Sequence, residues 1–486
     1  MSLHPPATRS KESLPDGLVV FVKRECPTCE LVAPVLRELA KGSALTVYSQ
    51  DDPGFPEDLE VGDDTSLEAS WRNEIEAVPT LLRVEGGVEQ ERAIGWHRGE
   101  WEALSGRSGL GPGLPELRPG CGSLSVDPEF ATKLELQFGD SKLVSRRIEL
   151  ARLEDEIEAM YDRGWSDGLP LVPPTEQRVI AMLEGTTRSP DEIVADIPPD
   201  LVPCTVEKVA INAVMAGCRP EYLPVVLAAV EAACTDTFNM HGLLATTMSS
   251  GPVMIVNGPI RKRLGMNSEM NALGQGHRAN ATIGRALQLV VRNVGGGRPG
   301  EVDRAVFGHP GKLGFCIAEN EEDSPWPSLA SDLGAEPGKD MVTLFPGEGP
   351  RTIVDQLSRE PESLARSLAE TLRGIYHPKA IIAFDAILIV GPEHARVFRE
   401  AGWSKDQLEA RLHELCQIPS EDLVRGAGGM AEGMPQKAPV ETLPKFRPDG
   451  IHIMHCGGFA GLFSVVIPGW VGGDIGSTIT MKEIGS

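Results

Sequence analysis

Hydrophobic and polar positions divide the first part of the chain into short segments of alternating type. Runs with the apolar, β-branched composition of buried strands alternate with segments that have the spacing of amphipathic helices. A Gly86-Gly87 pair between two further apolar runs is typical of a hairpin turn. The pattern therefore predicts the element order βαβαββα over residues 18–107. The segments are GLVVFVK, PTCELVAPVLRELAKG, ALTVYSQ, SLEASWRNEI, AVPTLLRVEGGVEQERAIGW and HRGEWEALSG.

Composition changes abruptly after this block. Between Gly106 and Pro128, ten of the 23 residues are glycine or proline, which is typical of a linker. We predict a Gly/Pro-rich linker over residues 108–144, and it contains one cysteine, Cys121.

The rest of the chain, residues 145–486, predicts a larger α/β region of one or two lobes, because amphipathic helical segments alternate with short buried strands. Two of these strands, VMIVNGP (253–259) and AILIVGP (386–392), end in the same Gly-Pro pair. Their similarity suggests an internal duplication.

Charge and composition narrow the function classes. The chain has 486 residues and a formal net charge of −24, so a nucleic acid or an anionic membrane is not expected as a partner. No apolar run reaches membrane-spanning length, and the N-terminus lacks the apolar core of a secretory signal. The nine cysteines, spread over a long chain, are typical of reduced thiols rather than of a disulfide framework. We therefore expect a cytoplasmic protein.

The clearest chemical motif is Cys26-Pro-Thr-Cys29, at a predicted strand-to-helix junction. The first sulfur of such a motif lies at a helix N-terminus, where unpaired N–H groups and the helix dipole favour a thiolate, and Lys23 and Arg24 would favour it further. The alternative is half of a zinc site, but no second ligand pair of suitable spacing accompanies the motif. The pattern favours a redox dithiol.

A proline before a strand, Val78-Pro79-Thr80, strengthens this interpretation. With the βαβαββα order, it resembles the thioredoxin and glutaredoxin families over about residues 14–107. The resemblance implies a thioredoxin-like fold in which Cys26 attacks, Cys29 resolves, and a cis-Pro79 guides the substrate backbone. The sequence around the cysteines differs from that of thioredoxin itself, which leaves general activity toward protein disulfides in doubt.

Two other cysteines are candidates for the inner thiol. Cys121, between glycines in the linker, could shuttle a disulfide from the dithiol or be an incidental surface residue. Cys456, in the segment His452-Ile-Met-His455-Cys456-Gly-Gly, could be a nucleophile with a histidine base, a metal ligand with His455, or a buried strand end.

An anion site is predicted on a basic helix that follows glycines. Arg278, Arg285 and Arg292 recur every seven residues, on roughly one helix face, which makes a plausible anion site. Separately, Asp167 in a stiff Pro-rich loop could line a substrate pocket. The alternatives are a basic face that meets another subunit and a loop that wraps an interface. The glycine spacing before the helix does not support a dinucleotide site, because a preceding strand and the expected acidic residue are missing.

The stretches RGWSDGLPLVPPT, EKVAINAVMAGCRPEYLPVVLAAVEA and NATIGRALQLVVRNVGGGRPGEVDR resemble an uncharacterised bacterial domain family, and the likeness covers most of residues 150–486. That family is similar to proteins paired with small (seleno)proteins that carry a Sec/Cys-Gly-Ser-Cys motif. The resemblance implies a redox partner.

The leading prediction is a thiol-disulfide oxidoreductase whose dithiol exchanges electrons with a C-terminal domain that acts on a small, anionic substrate. One alternative is a non-catalytic scaffold or binding subunit of a redox complex. A weaker one is a metal-dependent lyase that uses His455 or the carboxylates of residues 319–322. The dithiol requires no cofactor, and the metal content stays open. As partners we expect a small molecule or a redox protein, and a second copy of the chain.

Overall fold

A computed structural model describes residues 13–127, 130–131, 134, 138–139, 143–148, 150 and 154–485. The chain is a mixed α/β protein that divides into two compact units, residues 1–142 and residues 143–486.

The first unit is built on a five-stranded sheet in the order β3-β2-β1-β5-β6. Strands β1, β2 and β3 are parallel, and β5 and β6 run antiparallel to their neighbours. The strands of this unit are β1 (Gly17–Val22), β2 (Leu45–Ser49), β3 (Val61–Asp63), β4 (Ala77–Val78), β5 (Thr80–Glu85), β6 (Val88–Ile94), β7 (Trp96–His97), β8 (Leu117–Arg118) and β9 (Cys121–Gly122). Its helices include Pro27–Ala40, Glu68–Arg72 and Arg98–Ser105, and Leu124–Val126 forms a 3-10 turn.

The helix Pro27–Ala40 begins directly after the first cysteine of the motif. Cys26 is the N-cap residue, in extended conformation, and its sulfur accepts a hydrogen bond from the backbone N–H of Cys29. Pro27 occupies the first helical position, where a missing N–H costs nothing. Val32, Leu36 and Leu39 are spaced along one face of the helix and pack into the core of the unit.

The predicted linker is partly ordered against the first unit. Leu117–Arg118 (β8) pairs with β7, and Cys121–Gly122 (β9) pairs with β4. Leu110 is completely buried in the core of the unit. Glycine and proline exclude helix here, but short pairing strands and turns tolerate them, so composition alone did not reveal this packing.

The second unit contains an eight-stranded sheet in which β13-β12-β14-β20-β16-β19 are consecutive neighbours, while β21 pairs with β14 and β15 with β20. Its strands are β12 (Gly251–Asn257), β13 (Phe315–Ala318), β14 (Met341–Gly347), β15 (Arg351–Val354), β16 (Phe384–Val390), β19 (Ile451–His455), β20 (Phe463–Val471) and β21 (Thr480–Glu483). Two small hairpins accompany it, β10 (Ile193–Ile197) with β11 (Val202–Thr205) and β17 (Gln417–Pro419) with β18 (Thr442–Pro444).

Helices surround this sheet. They are Glu156–Asp162, Glu176–Leu183, Val206–Ala216, Leu223–Ala233, Met240–Ala245, Ile260–Arg263, Arg278–Asn293, Leu329–Asp332, Pro361–Arg373, Pro392–Glu400, Lys405–Leu415 and Ser420–Leu423. Short 3-10 turns occur at Pro220–Tyr222, Pro310–Leu313, Ala427–Gly429 and Gly473–Ile475. In the part of the chain that the structure describes, none of the helices has both the length and the apolar character that a bilayer crossing needs.

The sheet consists of two halves with the same strand arrangement. In one half β12 is parallel to β13 and antiparallel to β14, and in the other half β16 is parallel to β19 and antiparallel to β20. The fourth strand is exchanged, because β15 follows β14 but pairs with β20, whereas β21 follows β20 but pairs with β14. The two strands whose sequences suggested a duplication, β12 and β16, therefore occupy equivalent positions.

Successive side chains of β12 and of β16 point to opposite faces of the sheet, and this divides the core of the second unit into layers. Val253 and Ile255 pack against Ile387 and Ile389, so one face of each half meets the other half. The opposite face of β12 packs under the helices Val206–Ala216, Leu223–Ala233 and Arg278–Asn293. The opposite face of β16 packs under the helices Pro361–Arg373, Pro392–Glu400 and Lys405–Leu415. Each half-sheet is thus covered by helices on one face and by the other half on the opposite face.

The two halves approach each other at a pair of glycines, Gly347 of β14 and Gly469 of β20. A Cβ atom on Gly469 would lie 2.7 Å from the backbone oxygen of Asp385 and 2.7 Å from Cζ of Phe345. We expect Gly469→Ala to lower the free energy of unfolding of the second unit by about 1–3 kcal/mol, because a backbone oxygen cannot move aside cheaply. Urea denaturation followed by tryptophan fluorescence measures this.

Gly374→Ala is the matched control, because its added Cβ would meet no atom closer than 3.5 Å. It should change the free energy of unfolding by less than about 0.5 kcal/mol. Equal stability of the two variants would contradict the close approach at Gly469.

Candidate dithiol site

Residues 119–125, called the strap below, lie across the dithiol of the first unit. The strap pairs with β4 in antiparallel fashion, with Val78 opposite Cys121 and Ala77 opposite Gly122. The peptide bond between Val78 and Pro79 is cis. A Cβ atom on Gly120 would lie 2.8 Å from the carbonyl oxygen of Val78, so only glycine allows the strap to come this close.

Side chains on both sides of the dithiol hold the strap in place. The Thr28 hydroxyl donates to the carbonyl oxygen of Pro119 at 2.8 Å, and the Lys23 ammonium group donates to that of Gly122 at 2.8 Å. The buried amide of Gln50 donates to the Ser123 hydroxyl at 2.6 Å and accepts from the Leu124 N–H at 3.0 Å. These contacts fix the strap from Pro119 to Leu124.

This arrangement brings three thiols together. The sulfurs of Cys26 and Cys121 are 2.8 Å apart, closer than the ordinary contact distance of two non-bonded sulfur atoms. The N–H of Cys29 donates to the Cys26 sulfur at 3.3 Å. Cys26 and Cys29 are almost completely buried, at 1% and 0% exposure, whereas Cys121 is partly exposed. Cys26 thus has one thiol within the helix and another on the strap.

The hydrogen bonds between the three thiols give them different pKa values. The pKa of Cys26 is lowered to about 5, first by the hydrogen bond from the Cys29 thiol and then, against the effect of burial, by bonds from the Cys121 thiol and from the backbone N–H groups of Cys29 and Thr28. Burial, and donation to Cys26, raise the pKa of Cys29 and of Cys121. At neutral pH the negative charge therefore resides on Cys26, and its neighbours are proton donors.

The two basic residues before Cys26 have other partners than its sulfur. Lys23 binds the strap, and Arg24 forms an ion pair with Asp52 at 2.5 Å and lies over the ring of Phe55. The low pKa of Cys26 comes from hydrogen bonds, so the sequence-based role of Lys23 and Arg24 in stabilising the thiolate is not the main one.

Cys456 lies at the end of β19, in the interior of the second unit. It is 3% exposed, and burial raises the pKa of its thiol to about 12. Its neighbour His455 has its Nδ1 2.8 Å from the carbonyl oxygen of Val390, and burial lowers the pKa of His452 to about 4. Burial, and to a lesser extent the nearby charge of Glu319, therefore keep Cys456 in its protonated thiol form.

The carboxylates of residues 319–322 divide between the interior and the surface. Glu319 is completely buried and accepts hydrogen bonds from the Asn257 amide at 2.7 Å and from the Leu329 N–H at 2.8 Å. Glu321 and Glu322 pair with Arg261. Within the described part of the chain, no three His, Cys, Asp or Glu side chains come together so that they could hold a metal ion.

The three arginines of the predicted anion site have different environments. Arg285 binds both oxygens of Asp167, each at 2.7 Å, and Arg278 donates to the carbonyl oxygen of Gly217 at 2.9 Å. Arg292 lines a cavity of about 530 Å³, and Asp167 lines the same cavity. Arg278 and Arg285 therefore make structural contacts, and Arg292 is available for another role.

Neither a protein-family model nor a curated protein matches this chain. The residues that sequence reasoning missed are those that hold the strap, namely Thr28, Gln50 and Ser123, and those that share the cavity with Arg292. Gly120 beside Cys121 was the one available signal of close backbone approach, but it did not indicate which backbone the strap meets.

Displacement of the strap should expose the dithiol. The Cβ of Gly120→Ala would meet the Val78 carbonyl oxygen, so we expect the strap to open and Cys26 to react about ten times faster with iodoacetamide. Mass spectrometry of the labelled peptides measures the rate at each cysteine. Gly122→Ala, whose Cβ would meet no atom within 4 Å, should leave the rate unchanged, and equal acceleration in both variants would rule out strap closure.

The charge on Cys26 predicts a pH dependence. Because the pKa of Cys26 is lowered to about 5, thiolate absorbance at 240 nm should appear with a midpoint near pH 5 and be missing in Cys26→Ser. Cys121→Ala should shift the midpoint upward, since it removes one hydrogen bond that stabilises the thiolate. Cys416→Ser should change nothing below pH 9, because burial raises the pKa of that thiol to about 12. A midpoint near the ordinary thiol value of about 8.5 would disprove the assignment.

Proposed function

We propose that the protein is a thiol-disulfide oxidoreductase of the thioredoxin-like kind, with Cys26 as the attacking thiolate. The observation that carries the proposal is the 2.8 Å separation of the Cys26 and Cys121 sulfurs beside a Cys-x-x-Cys helix start. In this proposal the exchange site has three thiols, and the third is supplied by the same unit.

The exchange proceeds in balanced steps. The Cys26 thiolate attacks one sulfur of a substrate disulfide, forms a mixed disulfide and releases the other sulfur as a thiolate. A second thiol of the chain then loses its proton and attacks the Cys26 sulfur, which releases the reduced substrate and leaves an intrachain disulfide. Cys29 and Cys121 are both in position for this second attack.

Burial favours Cys121 as the thiol that communicates with the outside. Cys29 is fully buried and its pKa is raised furthest, whereas Cys121 is partly exposed and belongs to a strap that is held by hydrogen bonds. In the resulting Cys26–Cys121 disulfide, a thiolate from elsewhere in the chain or from a partner protein would attack the Cys121 sulfur, form a mixed disulfide with it and release Cys26 as a thiolate, after which the strap can open. In the closed state the strap also shields Cys26 from external disulfides, since Cys26 is only 1% exposed.

The second unit supplies the substrate half of the proposal. It is an α/β unit that contains a cavity with an arginine in its wall, which suits a small, anionic substrate whose reaction consumes or produces thiol equivalents. The Cys456 thiol is the sequence-based candidate for the inner thiol of this unit, and its burial means that the unit must open before Cys456 reacts.

Reduction of a small disulfide by the pre-reduced protein tests the proposal. We expect Cys26→Ser to lower the rate by at least about a thousandfold, because it removes the only low-pKa thiol of the site. Cys29→Ser and Cys121→Ser should keep the first attack, and the variant that lacks the true resolving thiol should accumulate a mixed disulfide that mass spectrometry detects.

Cys234→Ser is the matched control, because Cys234 is also partly exposed but burial raises the pKa of its thiol to about 12. It should react like the wild type. Full activity of Cys26→Ser would refute the proposal and favour the non-catalytic scaffold.

A further inference from the structure

The cavity of about 530 Å³ in the second unit has walls of two kinds. One wall is apolar and includes Phe307 and Leu313, which are 92% and 40% exposed, together with the nearly buried Met240, Leu243 and Leu244. The other wall carries polar side chains from the end of the helix Arg278–Asn293 and from the loop before β13. A volume of this size accommodates a small organic molecule.

One of the cations in the cavity wall has no carboxylate paired with it. Lys312 is paired with Asp303 at 2.8 Å, and both oxygens of Asp167 bind Arg285. The remaining cation of the wall is Arg292. Among the described residues, its side chain makes a single weak hydrogen bond, from Nη2 to the Gly164 carbonyl oxygen at 3.5 Å, and its buried Nε has no partner. An unpaired guanidinium in a cavity wall is costly, and a ligand anion would offset that cost.

A second guanidinium near Arg292 also has an unpaired nitrogen. Arg298 belongs to the glycine-rich loop that follows the helix, and its buried Nε also has no partner. Burial is the larger of two effects that lower the pKa of Arg292, and the nearby positive charge of Arg298 is the other. The negative charges of Asp167 and Glu301 raise this pKa but do not offset the lowering. A negative group beside Arg292 would relieve the repulsion between the two arginines.

The uncharged polar groups of the wall include one side chain that is available to an oxygen ligand. Ser250 is 1% exposed, and its hydroxyl is hydrogen-bonded with the side chain of Tyr376, so it is already satisfied. Gln288, one helical turn before Arg292, lies in the same wall. Among the lining residues Arg298 is not present, so Arg292 is the one guanidinium that would meet a ligand, and one cation balances a monoanion better than a phosphate dianion. The apolar part of the wall suits a hydrocarbon body on the ligand.

We propose that this cavity binds a small organic monocarboxylate, with Arg292 holding the carboxylate and the exposed apolar residues Phe307 and Leu313 contacting the hydrocarbon part. The inference deepens the substrate half of the proposed function. It involves no thiol, so it is tested by binding alone, and Cys26→Ser should bind carboxylates as the wild type does. A failure of thiol exchange and a failure of carboxylate binding are therefore separate results.

Isothermal titration of the full chain with hexanoate, with its neutral analogue hexanamide and with inorganic phosphate is the test. We expect hexanoate to bind at least tenfold more tightly than either of the others, and we expect affinity to rise by about two- to fourfold per methylene from butanoate to hexanoate. Arg292→Gln should weaken hexanoate binding by about 10- to 100-fold, because it removes a charge-assisted, bidentate contact.

Arg396→Gln is the control, because Arg396 is a 60% exposed surface arginine of the same unit and its loss should not affect binding. Arg292→Lys keeps the charge and the fold but lacks the planar fork, so it should bind hexanoate about tenfold more weakly than the wild type, and it serves if the glutamine variant does not fold. Equal binding of hexanoate and hexanamide, tighter binding of phosphate, or unchanged binding in both Arg292 variants would overturn the proposal.

Discussion

The backbone pairing of Cys121–Gly122 with Ala77–Val78 determines the chemistry of the first unit. It places the Cys121 sulfur against that of Cys26, and it requires a residue without a side chain at position 120. The polar anchors Thr28, Lys23 and Gln50 bind the strap on either side of this pairing, so the register of Cys121 cannot slip without the loss of several hydrogen bonds at once. A segment with the composition of a linker thereby becomes a part of the site.

In the second unit, the matching strand arrangement of the two half-sheets contributes to stability, and the candidate binding cavity lies elsewhere. The register of the two halves makes Glu319, after β13, the counterpart of Cys456, after β19. Both are buried where the halves meet, and Glu319 has its hydrogen bonds satisfied, which is the environment of a structural residue. The cavity instead lies at the end of the helix Arg278–Asn293, where the Nε of Arg292 has no hydrogen-bond partner among the described residues.

Much of the local structure could be predicted from sequence. The helix that starts at Pro27, the strand before it and the hairpin at Gly86-Gly87 all follow from periodicity and turn chemistry, which are local properties. The strap could not be predicted, because β9 has only two residues and has no periodicity. The seven-residue spacing placed three arginines on one face, but which of them stays unpaired depends on Asp167, more than a hundred residues away in the chain.

The central claim is that Cys26 and Cys121 exchange a disulfide, and its most direct test is peptide mapping of the protein after equilibration in glutathione buffers of graded redox potential. Mass spectrometry under non-reducing conditions then identifies the linked peptides. The account predicts a Cys26–Cys121 disulfide that forms and disappears reversibly across the series, in exchange with Cys26–Cys29. Oxidation that yields only Cys26–Cys29 at every potential, with Cys121 free throughout, would contradict it.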